Sequence, residues 1–194
     1  MENNMRKIIS GLFITLDGVV EAPGSADTTL PEKRGWSDPY MSQEIGMSIY
    51  DMIQKSDGFL LGRKTYQDFA AFWPSMPAED PFAQIMNSMP KYVVSTTLDK
   101  ADWNNSTLLR DVEEISQLKQ QLGKDINITG SPTLVRSLLE HGLLDEIQFM
   151  VCPVVLGVGK RLFPDGIDTK TFKLANAKPF DTGMVLLSYQ PTQK

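Results

Sequence analysis

The chain has 194 residues, 41% of them hydrophobic and 22% charged, an ordinary globular composition at a length that suits one domain or at most two. A net charge of −5 and a pI of about 4.9 argue against general nucleic-acid binding, and no run approaches the roughly 20 apolar residues of a membrane helix. The single cysteine excludes an internal disulfide and fits a reducing cytoplasm. The opening M-E-N-N-M-R-K-I-I-S-G-L-F lacks the apolar core and cleavage site of a signal peptide. The expectation is a cytoplasmic protein in which any anionic ligand is held by a local group of donors.

Arg6 to Leu16 is rich in Ile, Leu, Phe and Thr and predicts a first strand. It runs into L-D-G-V-V-E-A-P-G, where Gly18, Pro23 and Gly24 break the pattern. A long irregular stretch follows, which either covers a site or is a disordered insertion; Trp36 and Tyr40 weigh against disorder. Ile45, Ile49, Met52 and Ile53 have helical spacing. Gly58 to Leu61 reads as a short buried strand, and Arg63 to Phe72 as a helix ended by Trp73-Pro74. Lys91 to Ser95 predicts a strand, and Asp111 opens a helix with Glu114 as its capping-box partner. Asp125 to Thr129 is a strand stopped by Gly130, after which Ser131-Pro132 supplies an N-cap and first-turn proline. Ile147 to Leu156 reads as a long apolar strand, followed by Phe172 to Ala175 and Val185 to Tyr189. Strands alternate with helices until the end, where strand follows strand. That order predicts one α/β domain with a largely parallel sheet and a C-terminal antiparallel hairpin.

Three of these strands end alike. Gly58–Leu61 runs into Gly62-Arg63-Lys64-Thr65, Lys91–Ser95 into Thr96-Thr97, and Asp125–Thr129 into Gly130-Ser131. Ligands of open α/β sheets bind outside the carboxyl ends of the strands, where helix N-termini offer free N–H groups. Glycine lets a phosphate approach the backbone, and hydroxyl and basic side chains add donors. Each ending alone also reads as an ordinary turn, and both G-x-x-x-x-G-K-[ST] and G-x-G-x-x-G are absent. Together they suit a ligand with several phosphates, a dinucleotide being the natural candidate.

The pieces T-L-D-G-V-V (15–20), L-L-G-R-K-T-Y (60–66), Y-V-V-S-T (92–96), I-T-G-S-P-T-L-V-R-S-L-L (128–139) and G-L-L-D-E-I-Q-F-M-V-C-P-V-V-L-G-V-G-K-R-L-F (142–163) occur in family order across nearly the whole chain. On these pieces the chain resembles the dihydrofolate reductase-like superfamily, and within it the branch of the C-terminal reductase domain of the riboflavin-biosynthesis protein RibD. The resemblance implies a three-layer α/β/α fold, an NADPH-dependent reductase acting on a small heterocycle, and a homodimer. By resemblance, Gly62, Lys64 and Thr65 hold the pyrophosphate, while Arg63, Ser95 and Thr96 lie by the adenosine ribose and its 2′-phosphate. Gly130, Ser131, Thr133 and Leu134 flank the pyrophosphate and the nicotinamide; the family often has Gly-Gly where this chain has Gly130-Ser131.

For the chemistry, Asp17 either meets substrate or holds the turn with Gly18. Glu44 is a candidate acid on the first helix, although Gly46 stands nearer the equivalent spacing; its other reading is a first-turn Glu favoured by the helix dipole. Trp36 and Tyr40 either stack on a planar substrate or pin the loop to the core. Gly157, Gly159, Lys160 and Arg161 either hold a substrate phosphate or form a tight turn. His141 reads as a helix C-cap and Cys152 as an inert core thiol. The missing H-x-E and P-C-x-x-C pattern excludes zinc-dependent deamination by this chain. The alternative function is a non-catalytic NADP(H)-binding sensor or partner protein.

Overall fold

The structure, a computed structural model, describes residues 5–24 and 29–192. Eight strands form one sheet in the order β4-β3-β2-β5-β1-β6-β8-β7. β1 (Ile8–Thr15), β2 (Ser56–Gly62), β3 (Lys91–Val94), β4 (Ser106–Leu109), β5 (Asp125–Thr129) and β6 (Glu146–Cys152) run parallel. β7 (Phe172–Pro179) and β8 (Val185–Pro191) close the sheet antiparallel, with β8 against β6 and β7 outermost. The parallel sheet with an antiparallel C-terminal hairpin is the arrangement expected from the order of elements.

Alternation along the strands divides the helices between two faces. Leu60, Ile126, Ile128, Ile8 and Ile147 point to one face, with Ile115 and Leu118 of α4 (Val112–Gln120) and Leu134, Val135 and Leu138 of α5 (Pro132–Glu140). Phe59, Leu61 and Val93 point to the other, under Ile53 of α1 (Gln43–Gln54), Tyr66 of α2 (Arg63–Phe72) and Met86 of α3 (Pro81–Ser88). Farther along this second face, Ile45 of α1 packs with Met150, Cys152, Leu186 and Trp36. The result is a three-layer α/β/α arrangement.

Some boundaries differ from expectation. β6 stops at Cys152, four residues early, because Pro153 has no N–H to continue the ladder. β4 and α3 were not anticipated: one is a four-residue edge strand, the other an eight-residue helix set by Asp80, which caps Ala83 N at 2.8 Å, and by Pro81. β7 extends past Ala175 to Pro179, with a register shift between Leu174 and Asn176. Asp111 caps α4 at Glu114 N (2.9 Å), but Glu114 reaches back to the N–H of Arg110 (2.8 Å), one residue earlier than a capping box requires. In the long stretch after β1, residues 25–28 lie outside the described residues. Beyond them, Trp36 is 7% exposed and donates to Glu21 O at 2.8 Å, so residues 29–42 are tied to the core.

At the opposite end of the sheet from the strand ends, Lys91 is fully buried. Its ammonium donates to the carbonyls of Met89 (2.8 Å), Asn104 (3.0 Å) and Asn87 (3.2 Å) and lies 4.3 Å from the Trp103 ring centre. Burial pushes it down to about 8, while three carbonyls and an aromatic face hold its proton. Lys91→Met removes the donor from three main-chain carbonyls. We expect it to lower the free energy of unfolding by about 3 kcal/mol, measured by urea denaturation.

Candidate functional site

The three strand ends stand side by side, because β3, β2 and β5 are consecutive in the sheet and Gly62 pairs with Val94. After β2 the chain enters α2 on one face and proceeds to β3. After β5 it enters α5 on the other face and proceeds to β6 in the opposite direction. The crevice between β2 and β5 is therefore a point where connections diverge, the place where open α/β sheets bind ligands.

The two helices begin in close approach. A Cβ on Gly62 would collide with the side chain of Ser131, and one on Gly130 would lie 3.3 Å from Thr65 Cγ2. Gly130 also has φ +86°, and Ser131 follows at φ +60°, a left-handed conformation costing a serine about 1 kcal/mol. The sequence reading placed Ser131 as the N-cap of α5; it stands at that position, but its hydroxyl caps nothing. Gly62 likewise gives α2 no side-chain cap. By contrast, α1, α3 and α4 are capped by Ser42, Asp80 and Asp111. The two helices that meet at the crevice are the two whose first-turn N–H groups, including those of Lys64, Thr65, Thr133 and Leu134, are left without a side-chain acceptor.

The surrounding charge is positive on the β2 side. Arg63 is exposed and touches only Gln67 Oε1, at 3.4 Å, with no carboxylate partner among the described residues. Lys64 is exposed and pairs with Asp68 at 3.0 Å, a contact of little energetic weight. Ser95 builds the turn after β3, its hydroxyl accepting from Leu98 N (2.9 Å) and Thr97 N (3.2 Å). Thr96 is exposed above it. The Arg110 guanidinium, at the end of β4, clamps this turn through Ser95 O (2.9 Å) and Leu98 O (2.7 Å). Sequence reasoning missed Arg110, since nothing marked β4 as a strand. Leu134 is buried in the core, so only its backbone faces the crevice, while Thr133 is exposed.

Asp17 holds a loop together. Its carboxylate accepts from Thr15 Oγ1 (2.6 Å), Gly157 N (2.8 Å) and Leu156 N (3.2 Å). These bonds, the Thr15 hydroxyl foremost, hold it down at about 2. Glu21 treats the same segment similarly, accepting from Lys160 N at 3.0 Å and pairing with the Lys160 ammonium at 3.4 Å. Arg161 donates to Asp17 O at 3.1 Å, and Arg136 of α5 donates to Leu162 O at 3.2 Å. The loop at 156–161 thus spends backbone donors at Leu156, Gly157 and Lys160 on internal carboxylates, which disfavours the phosphate reading.

Two further expectations change. Trp36 was a candidate for stacking on substrate, but it is core, packed with Ile45, Met150, Phe180 and Met184. Tyr40 packs against the same cluster. Glu44, a candidate acid, is exposed at the start of α1 and pairs with Lys178 at 2.8 Å, the first-turn role that competed with catalysis. His141 donates through Nδ1 to Ser137 O (2.7 Å) at the end of α5, and burial pushes the Cys152 thiol up to about 12. Among the described residues no cluster of His, Cys, Asp or Glu could hold a metal, and no helix is long and apolar enough to cross a membrane.

Comparison with known proteins agrees with this architecture. Over 97% of this chain and 98% of the relative, the sequence is 33% identical to the uncharacterized protein YyaP of Bacillus subtilis strain 168. A pyrimidine reductase-like protein from Corynebacterium diphtheriae superposes with a TM-score of 0.67 at 13% identity, covering 97% of this chain and 93% of that one. Dihydrofolate reductase from Enterococcus faecalis, solved with NADP(H), gives 0.63 at 14% identity over 96% and 97%. At such identities the superpositions establish a shared dihydrofolate reductase-like fold. The RibD C-terminal domain profile matches residues 6–186, and with the crevice between β2 and β5 in place the chain belongs to the RibD C-terminal domain family, whose character is that of a reductase.

Proposed function

We propose that this protein is an NADPH-dependent reductase that delivers a hydride to a small heterocycle, in the manner of a pyrimidine or pteridine reductase. The observation that carries the reading is the meeting of two uncapped helix N-termini at the point where the connections diverge. That arrangement supplies unpaired N–H groups and partial positive charge to a pyrophosphate. The N–H groups of Lys64 and Thr65 and those of Thr133 and Leu134 serve the two phosphates, with the Ser131 hydroxyl between them. Arg63 and Thr96 serve the adenosine end, Arg63 as the cation for a 2′-phosphate and Ser95 through the turn it holds. When bound, NADPH supplies the hydride.

The protein's own residues position, and do not themselves donate the proton. Asp17, held at about 2, is a carboxylate at neutral pH and is committed to the 156–157 backbone. Glu44 is engaged with Lys178 on the surface. Water is then the proton source, ordered against the substrate. A second reading, binding of NADP(H) without turnover, is favoured by the same commitment of Asp17. Calorimetric titration with NADPH and NADH, followed by assays of NADPH oxidation with pyrimidine and pteridine acceptors, separates the two. Tight binding with oxidation supports the enzyme, tight binding without oxidation by any acceptor supports the sensor, and no binding removes both.

Three outcomes are expected. Arg63→Ala weakens NADPH binding by about ten- to a hundredfold, the value of a charge-assisted bond to phosphate, and leaves NADH binding nearly unchanged; equal loss for both removes the 2′-phosphate role. Gly62→Ala forces its Cβ against Ser131, costing about 1–3 kcal/mol of stability and weakening NADPH binding, and the double variant Gly62→Ala with Ser131→Gly recovers the stability in thermal melting while calorimetry shows NADPH binding only partly restored, the Ser131 hydroxyl being lost. Finally, because the folded pKa of Asp17 lies below its ordinary 3.8, its contribution is complete above that value and lost as the pH falls from there toward about 2. Melting curves should show the stability advantage of wild type over Asp17→Asn constant above pH of about 4 and shrinking below it.

A further inference from the structure

Three parallel strands end at one level. Gly62 of β2, Val94 of β3 and Leu109 of β4 stand in register, so the residues that follow them, Arg63, Ser95 and Arg110, leave the sheet side by side. With neighbouring strands about 4.8 Å apart, the main chains of Arg63 and Arg110 lie about 10 Å from each other, with Ser95 between them.

The turn over residues 95–98 is fastened twice. Its N–H groups are held from within: Ser95 N donates to Leu109 O (3.0 Å), and Ser95 Oγ accepts from Thr97 N (3.2 Å) and Leu98 N (2.9 Å). That arrangement closes the turn by itself. Its carbonyls are held from outside, where Arg110 Nη1 donates to Ser95 O (2.9 Å) and Leu98 O (2.7 Å). The second fastening immobilises a long side chain, which costs entropy, and it fixes the shape of a turn that is already closed.

The double fastening leaves donors over. The Thr96 N–H is the one main-chain donor of the turn without an acceptor among the described residues, and Thr96 is exposed. Arg110 keeps its charge, because carbonyls do not neutralise a guanidinium and no carboxylate among the described residues pairs with it. Glu114 accepts instead from Arg110 N (2.8 Å), and Asp111 from Glu114 N (2.9 Å). Arg63 is likewise without a carboxylate partner. In a chain of net charge −5, two such guanidinium groups on either side of a rigid turn with a free N–H and hydroxyl are complementary to a compact dianion.

We infer that Arg110 is a positioning residue for cofactor choice: by holding the 95–98 turn it keeps the Thr96 N–H and hydroxyl in place, beside Arg63, as donors to the 2′-phosphate that distinguishes NADPH from NADH. This inference rests on the reductase reading and says what sets the cofactor preference of its site. The turn is organised before the nucleotide arrives, so binding does not have to order it.

The test is calorimetric titration of wild type, Arg110→Ala, Thr96→Ala and the double variant with adenosine 2′,5′-bisphosphate and adenosine 5′-monophosphate, which differ by the 2′-phosphate alone, and of wild type with NADPH and NADH. Wild type is expected to favour the bisphosphate, and Arg110→Ala to lower that preference about tenfold, the worth of roughly one hydrogen bond to a charged group. Because Arg110 acts through the turn, the double variant should lose less than the product of the two single losses. Arg110→Gln takes the place of the alanine variant if the latter melts below the titration temperature. An unchanged preference in the Arg110 variant overturns the inference. So does an equal loss for both nucleotides, the mark of a turn needed only for the fold, and so do fully multiplicative losses in the double variant, the mark of an arginine that meets the phosphate independently of Thr96. If wild type binds NADPH but shows no preference for the 2′-phosphate, the inference falls and the reductase reading stands; if it binds neither dinucleotide, both fall.

Discussion

The organisation of this protein depends on the close approach of two strand ends. β2 and β5 are adjacent, but the helices that follow them lie in different layers and lead in opposite directions. The first turns of those helices must begin within contact of one another, at Gly62 against Ser131 and Gly130 against Thr65. Side-chain volume is excluded at Gly62, and a left-handed backbone is imposed at Gly130 and Ser131. A side-chain cap on either helix would also fill the crevice. The chain tolerates open N-termini and roughly 1 kcal/mol of strain at Ser131.

A second constraint governs the neighbouring loops. The turn after β1 and the segment after β6 are joined through carboxylates, Asp17 on the N–H groups of Leu156 and Gly157 and Glu21 on that of Lys160. These carboxylates occupy the donors that a phosphate would seek in L-G-V-G-K-R. The same glycines and basic residues therefore look like a ligand loop in the sequence and act as an internal latch in the fold. Arg161 and Arg136 reinforce it by donating to main-chain carbonyls.

Much of this was readable from the sequence, for reasons that differ by element. β2 with α2 and β5 with α5 were legible because a short apolar run, a glycine and an amphipathic helix follow one another without interruption. Their adjacency was not legible, since strand order depends on crossovers and no local pattern records it. β4 was missed because an edge strand of four residues needs little hydrophobic alternation, and Arg110 was missed with it. Trp36 was ambiguous because an indole suits a ligand or a core equally; the hydrogen bond to Glu21 O and the packing with Met184 decide it.

The antiparallel end of the sheet has a bearing on the behaviour of the protein at high concentration. β7 is an exposed margin, and an exposed margin offers a template for strands of other molecules. Here the register shift between Leu174 and Asn176 twists that margin, Lys173 and Lys178 place charge along it, and Pro179 removes a donor at its end. The opposite margin, β4, is only four residues long. Both sides of an otherwise extendable sheet thus carry features that oppose edge-to-edge pairing.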